Sequence, residues 1–485
     1  MSDAALLLFR DDLRLTDNPA LAAAVASKKP LILAYIYEEP PTGGRPLGAA
    51  VNWWLHHSLA SLAQSIESRG STLHIFKGEP AKIIDRLIAD HGVRSIFWNR
   101  RYHPSHVGAD TALKTRYEAQ GLSVKSFNGS LLREPWEVKS KIGNPMKVFT
   151  PFWRASQLVN EVASPEPAPK KLIPLQAAKI SGAIHLKNLQ LLPIKPNWAT
   201  GIKAEWTPGE AGALQRLNAF IDVGFKGYAE ERNRPDRPST SRLSPHLRFG
   251  EISIKQVWHA ADIAIKSRKS KASSEDLRVF QAELGWREFA HHLLFHEKDL
   301  TRTNVQRGFD AFPWRSDEKL FKAWSRGMTG YPIVDAGMRE LWQTGFMHNR
   351  VRMIVASFLI KHLLIDWRRG EEWFWDTLVD ADVANNPASW QWVAGSGADA
   401  APYYRIFNPM LQGEKFDPDG AYVRKYVPEL AKLPARAIHA PWTAKPMELE
   451  LAGVVLGKTY PTPIVDHEAA RLRALAAYKS LKESA

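Results

Sequence analysis

Glu283, Trp286 and Arg287 stand three and four residues apart, a spacing that puts them on one face of a helix. A carboxylate, a stacking ring and a guanidinium grouped in this way suit a nucleic-acid base. The plainer alternative is a surface ion pair beside a half-buried indole. Asn349, Arg352 and Met353 repeat the spacing on an otherwise apolar helix, and Asp380 and Asp382 then precede Asn385, Asn386, Trp390 and Trp392. Polar groups in so apolar a setting need partners. An Arg–Asp pair beside a bound heteroaromatic cofactor would supply them, and so would an internal structural ion pair. The hydroxyl-rich run Thr240-Ser241-Arg242-Leu243-Ser244 opens a helical stretch. Hydroxyls and free N–H groups at a helix start can hold a phosphate, or one of them can simply cap the helix expected from Ile254.

Other chemistries find no support. His56-His57 and His291-His292 lack any accompanying H-E-x-x-H spacing, so no metal site is expected. The chain has no cysteine, which excludes disulfides, thiolate-bound zinc, iron–sulfur clusters and a thiol nucleophile. No G-x-G-x-x-G follows the first apolar run, no Walker A motif occurs, and Gly43, Gly44 and Gly48 have the wrong spacing for a dinucleotide loop.

The elements that must position these residues fall into two patterns. Apolar runs at Ala5–Phe9, Leu31–Tyr37, Thr72–Phe76, Ser95–Trp98 and Ser123–Phe127 alternate with helical segments at Pro19–Ala26, Ala49–Ile66, Ala81–Ala89 and Asp110–Ala119. Asn18 before Pro19 reads as a cap and a first helical residue. This alternation predicts an N-terminal α/β domain with a doubly wound parallel sheet, Rossmann-like, over residues 1–130. A proline-rich connection is expected over 131–205, with Pro165, Pro167, Pro169, Pro174, Pro193 and Pro196. From 206 to 485 the periodicity is helical, and an all-α C-terminal domain is expected.

A chain of 485 residues is long enough for two or three domains. Its 65 Lys and Arg against 51 acidic residues give +14, which favours an anionic partner such as nucleic acid. The short apolar run Ala4–Phe9 follows Asp3, unlike a signal peptide, and Lys361, His362 and Asp366 interrupt the longest apolar helical stretch. A cytoplasmic protein without membrane contact is expected. Tryptophan numbers 18, with twelve of these between Trp206 and Trp442, which by itself suggests an aromatic core.

Taken in order, several segments resemble the photolyase/cryptochrome family. They are Thr240–Gly250 (TSRLSPHLRFG), Glu283–Phe289 (ELGWREF), Gly330–Arg339 (GYPIVDAGMR), His348–Met353 (HNRVRM), Asp380–Trp392, Arg405–Pro409 (RIFNP) and Gln412–Phe416 (QGEKF). The resemblance runs along essentially the whole chain and is strongest from Thr240 to Leu430. It implies FAD in the helical domain, with Tyr228 and Thr240, Ser241, Arg242, Leu243 and Ser244 at its phosphate and ribityl portion. Arg287, Asn349, Arg352, Asp380 and Asp382 would line the flavin, and Asn386 would face its N5. Trp390, Trp367 and Trp314 match the family's electron-transfer chain, while Trp286 and Trp392 match the pair that sandwiches a flipped pyrimidine dimer.

Glu283, Asn349 and Met353 are like the pocket of cyclobutane-dimer photolyases rather than the histidine-bearing pocket of the six-four enzymes. The implied reaction is light-driven electron transfer from reduced FAD to the dimer, with Glu283 hydrogen-bonded to the dimer. The implied partner is damaged DNA, bound by a monomer, and the handling of a flipped base is a known property of photolyases. Arg232, Arg350, Arg405 and Lys415 are the candidate phosphate contacts. An antenna chromophore is also implied, a folate such as methenyltetrahydrofolate or a deazaflavin. The stretch Arg101-Tyr102-His103-Pro104-Ser105-His106 lacks the carboxylate of many folate-binding relatives, and Glu38-Glu39-Pro40 with Trp53-Trp54-Leu55-His56 offers a different pocket. A blue-light receptor of the same fold and a flavin-free DNA-binding protein are the competing functions.

Overall fold

A computed structural model describes residues 3–177, 179–267, 270–297, 299–400 and 404–483. Five parallel strands, β1 (Ala4–Phe9), β2 (Leu31–Tyr37), β3 (Leu73–Lys77), β4 (Val93–Asn99) and β5 (Ser123–Phe127), form one sheet in the order β3-β2-β1-β4-β5. Four helices connect them: α1 (Pro19–Ala26), α2 (Ala49–Glu67), α3 (Pro80–His91) and α4 (Pro104–Ala119). The doubly wound expectation therefore holds, and the elements lie within about two residues of where the pattern put them except α4, which begins six residues earlier than expected, at Pro104.

Local signals explain the starts and stops. The Asn18 side chain accepts the Leu21 N–H at the start of α1, and Pro19, Pro80 and Pro104 open α1, α3 and α4. Gly92 closes α3 at φ +65°, a conformation that suits a residue without Cβ. The sheet core joins Leu6, Leu8, Ile32, Ile84, Leu87, Ile96 and Trp98, all buried. Each such side chain contributes roughly 1.5–3 kcal/mol by leaving water.

Contacts divide the chain into two compact units. The first comprises Met1–Met146, Thr150–Asp222 and Ser241–Lys298; the second comprises Lys147–Phe149, Val223–Thr240 and Asp299–Ala485. In the first, the proline-rich segment meets the sheet at two bridges, Leu31 with Pro174 and Ile75 with Ile184. The buried Arg14 donates to the carbonyls of Thr16, Asp17, Gly129 and Gly250, binding distant loops of the same unit together.

The second unit is helical throughout its named elements. Helices Pro332–Thr344, Asn349–Ser357, Trp367–Thr377, Asn385–Ala394 and His467–Glu483 surround a core rich in Phe, Trp and Leu. A buried carboxylate anchors one corner. Asp335 accepts from Thr329 N (2.7 Å), Thr329 Oγ1 (2.7 Å), Gly330 N (3.0 Å) and Tyr460 OH (2.7 Å). Four donors on one carboxylate offset part of its loss of water, and burial still raises its pKa.

Candidate active site

In the first unit, helix Ser274–His296 begins with a capping box between Ser273 and Asp276 and carries Glu283, Trp286 and Arg287. Glu283 and Arg287 are half-buried and Trp286 is 36% exposed. Arg287 donates to the Ser130 carbonyl at 2.9 Å and lies 3.5 Å from the Glu288 carboxylate. Glu288 accepts the backbone N–H groups of Leu132 (2.8 Å) and Arg133 (3.1 Å). Its burial pushes the carboxyl up to about 7, against the opposing pull of Arg287 and of the two N–H donors. The helix bearing Glu283 is thus tied to the loop after β5 by its next acidic residue.

The hydroxyl-rich run is built differently from a simple cap. Helix Ile254–Lys266 takes its cap from Ser253, in a capping box with Gln256, and not from the run. Leu243 stands at the cap position of the short helix Ser244–Arg248. Arg242 adopts φ +50°, pairs with Glu205 and lies over the Trp206 ring at 4.7 Å. Arg216 lies over the same ring at 4.4 Å, and burial together with Arg242 lowers its pKa to about 10. The Arg242 side chain therefore already has a carboxylate and an indole as neighbours, so the hydroxyls of Ser241 and Ser244 are the run's other polar groups in this unit. Nearby, Trp54 Nε1 and His246 Nδ1 both contact the buried Glu251 carboxylate, at 2.9 and 2.5 Å.

The second unit brings several expected residues together. Arg352 donates to the Met347 carbonyl (2.7 Å) and to Asp380 Oδ2 (2.8 Å), an Arg–Asp pair that either reading of these polar residues, cofactor-lining or internal structural, would contain. Asp382 accepts the Ala384 and Asn385 N–H groups and the Asn385 side chain, shaping the turn into helix Asn385–Ala394. The buried Asn386 donates its amide to the Glu371 carboxylate (2.7 Å) and carbonyl (3.1 Å). Asn349 is exposed and Met353 half-buried on helix Asn349–Ser357, while Tyr228 is buried with Arg232 6.0 Å from its ring. Thr240 also belongs to this unit.

The tryptophans separate by environment. Trp390 is 2% exposed and packs edge-on against Trp324 and Phe374. Gly370 makes room for it, since a Cβ there would fall 2.2 Å from the indole. Trp367 is fully buried, its Nε1 donating to Asn304 at 2.9 Å. Trp314 is half-buried and 4.3 Å from the Phe312 ring. Trp392 is half-buried, with its Nε1 on the Asp399 carbonyl at 3.0 Å. Arg350 donates twice to Asn233 and lies 4.5 Å from the Phe416 ring, and Arg405 is exposed beside Phe407.

Sequence reasoning missed Glu371, Asn304, Gly370 and Lys361. Glu371 is fifteen residues from Asn386 and Asn304 is 63 from Trp367, so no helical spacing connects them. The only local signal was a polar side chain set in an aromatic-rich segment. Two expected antenna pieces also acquire structural roles. Glu38 is ion-paired with Arg101, which also pairs with Asp110 at 2.8 Å, and Trp54 is fully buried. Among the described residues no helix is long and apolar enough to cross a membrane, and no group of three or more His, Cys, Asp or Glu could hold a metal ion.

Comparison with known proteins gives full-length matches. Residues 5–170 match the model described as DNA photolyase, and residues 280–480 match the FAD binding domain of DNA photolyase. The chain is 55% identical over 480 residues to a deoxyribodipyrimidine photo-lyase of Agrobacterium fabrum, covering 99% of this chain and 98% of that protein. It is 38% identical to Cryptochrome-1 of Arabidopsis thaliana, covering 97% of this chain and 69% of the relative. Among solved structures, a bacterial class III photolyase from Agrobacterium tumefaciens superposes with TM-score 0.95 at 54% identity, covering 100% of this chain and 98% of that one. An archaeal photolyase from Sulfolobus tokodaii, solved with two FAD molecules, gives TM-score 0.81 at 30% identity, covering 98% of this chain and 100% of that one.

Proposed function

This chain belongs to the photolyase/cryptochrome family, and from that premise we propose that it is a light-dependent deoxyribodipyrimidine photo-lyase that uses FAD to split cyclobutane pyrimidine dimers in damaged DNA. The observation that carries the reading is the pairing of a half-buried Arg352 with the buried Asp380, together with the buried Asn386, in a helical unit with a largely apolar core. Its donor set fits a flavin. A guanidinium neutralised by one carboxylate can face the ring carbonyls, and a carboxamide whose N–H₂ is already engaged presents its oxygen to a ring N–H. Bound FAD, reduced and excited by light, would lend the dimer the electron that opens the cyclobutane ring and take it back once the ring has split.

The protein's own residues hold and insulate that chemistry. In this proposal Arg352, Asp380, Asp382, Asn349 and Arg287 line the flavin and Asn386 presents Oδ1 to N5. Tyr228 and the hydroxyls of Thr240, Ser241 and Ser244, with the backbone of Arg242 and Leu243, take the phosphate and ribityl portion. Trp390, Trp367 and Trp314 carry electrons inward. Their exposure is consistent with this, since two are buried and the third reaches solvent. Indole suits the task because it is oxidisable and packs without a charge. Trp286 and Trp392 stack on the dimer, each being partly exposed. Glu283 hydrogen-bonds the lesion as negative charge develops on it. Arg232, Arg350 and Arg405 contact phosphates, so affinity falls as salt rises.

A second, light-harvesting chromophore belongs to the same reading, prompted by the Sulfolobus tokodaii neighbour with its two FAD molecules. Its chemical class here, a folate such as methenyltetrahydrofolate or a deazaflavin, is the finer proposal. Arg101 is held by Glu38 and Asp110 and Arg10 by Asp110 beside the C-terminal ends of β1, β2 and β4. A chromophore seated on those strand ends would have to break buried ion pairs.

The deciding experiment illuminates the reduced holoprotein with dimer-containing DNA. Loss of dimers is expected. Bound flavin without dimer loss would overturn the repair reading in favour of a cryptochrome-type receptor, and a colourless protein would favour the flavin-free alternative.

A further inference from the structure

Within the second unit a concave site is walled by Phe309, Trp392, Tyr404 and Phe407, and among the described residues its charged lining groups are Lys361 and Arg405. Lys361 lies on the wide turn Phe358–His362 and is 4% exposed. Its ammonium donates to the Arg405 carbonyl and lies 4.7 Å from the Tyr404 ring. Among the described residues no carboxylate lies within ion-pair distance of Lys361 or Arg405. The titratable groups around Lys361 are equally unhelpful. Arg405 is a second cation, the buried His362 is held neutral with its pKa lowered to about 3, and burial raises the Tyr404 phenol. Helix His467–Glu483 adds Tyr478 in the lining, Arg473 on the His362 carbonyl and a His467 whose pKa burial lowers. Burial first, and the Arg405 charge second, bring Lys361 down to about 7.

A buried ammonium facing only a carbonyl and a ring is a poor resting state. Two cations lining one concavity without an acid are what a phosphate oxygen recognises. We propose that Lys361 and Arg405 together bind one backbone phosphodiester of the lesion-bearing strand, beside the ring of Trp392. The inference rests on reading Trp392 as a clamp on the flipped dimer. It assigns Lys361 a role in DNA binding that its burial conceals. An arriving phosphodiester supplies the missing counter-charge, so Lys361 holds its proton more tightly in the complex. Binding near neutral pH is then accompanied by proton uptake.

The test is calorimetric titration of the holoprotein, in the dark at pH 7.5, with a dimer-containing oligonucleotide in two buffers of different ionisation enthalpy. Uptake of roughly half a proton or more per complex is expected from a lysine near neutrality gaining an anion. Absence of uptake by the wild-type protein overturns the proposal without any variant. Lys361→Met, of similar length, should abolish the uptake, weaken DNA binding several-fold at pH 6.5 and lessen its salt dependence by about one phosphate contact. Uptake that persists in a folded Lys361→Met protein also overturns it. Inorganic phosphate alone producing the same uptake would identify a free-anion site and overturn the DNA assignment. Repair by the reduced wild-type protein separates the two readings. Repair without Lys361-dependent uptake refutes only this site, whereas absence of repair refutes the photolyase reading.

Discussion

The side-chain nitrogen of Asn386 donates to the Glu371 carboxylate at 2.7 Å, and Glu371 is 1% exposed. Because the backbone carbonyl of Glu371 takes the amide as well, at 3.1 Å, the carboxamide cannot turn over without losing both acceptors. Its oxygen is thereby fixed on the side of the amide away from Glu371. Asn386 contacts the flavin in our proposal, and Glu371 acts through it as a positioning residue.

Glu371→Leu removes the carboxylate and leaves the amide with one acceptor. The variant should lose about 1–3 kcal/mol of stability. It should also accumulate less fully reduced flavin under steady illumination, while DNA affinity stays within about twofold. Absorbance during illumination and a binding titration measure these separately. Unchanged flavin reduction would remove Glu371 from the positioning role.

Trp390→Phe should slow light-driven flavin reduction about tenfold or more, equivalent to about 1.4 kcal/mol of barrier. Repair by flavin reduced chemically beforehand should survive. If that repair also disappeared, the separation of the wire from the clamp would be wrong. Gly370→Ala probes the same indole sterically, because its Cβ would meet Trp390 Cη2 at 2.2 Å and Leu359 Cδ2 at 2.6 Å. An overpacked core of this kind costs about 1–3 kcal/mol. A lowered melting temperature with slower photoreduction is expected.

Glu283→Ala should reduce the yield of dimer splitting by about tenfold while changing DNA affinity only about twofold, as for loss of one charge-assisted hydrogen bond that strengthens during reaction. Equal losses in yield and affinity would show that Glu283 serves binding alone.

Glu288 makes stability depend on pH in an unusual direction for an acid. Its carboxyl is raised from 4.5 to about 7, so the folded state binds more protons than the unfolded chain between those values. Stability is therefore greatest below about pH 4.5 for this group, falls as pH rises to about 7, and then levels off. Glu288→Gln keeps an acceptor for the Leu132 and Arg133 N–H groups and removes the titration. The variant should gain on the wild type as pH rises from 5 to 8, by up to about 3 kcal/mol. Parallel melting curves across that range would show that Glu288 is not desolvated as described.

The sequence determined the alternation of five strands and four helices because each short apolar run and each cap is a local property of the chain. Asn18, Pro19, Pro80 and Pro104 write helix starts into residues that adjoin them. Its long motifs also determined the family. Tertiary structure alone decided the strand order β3-β2-β1-β4-β5, since pairing between β1 and β4 spans nearly ninety residues of chain. It likewise decided which polar groups meet. Arg352 reaches Asp380 across 28 positions, Asn386 reaches Glu371 across 15, and Trp367 reaches Asn304 across 63. It occupied Arg242 with Glu205 and Trp206, and it left Lys361 buried beside Arg405 with no acid paired to it among the described residues. Partner choice for a buried charge depends on what folding brings within a few ångströms, and no periodicity along the chain encodes that distance.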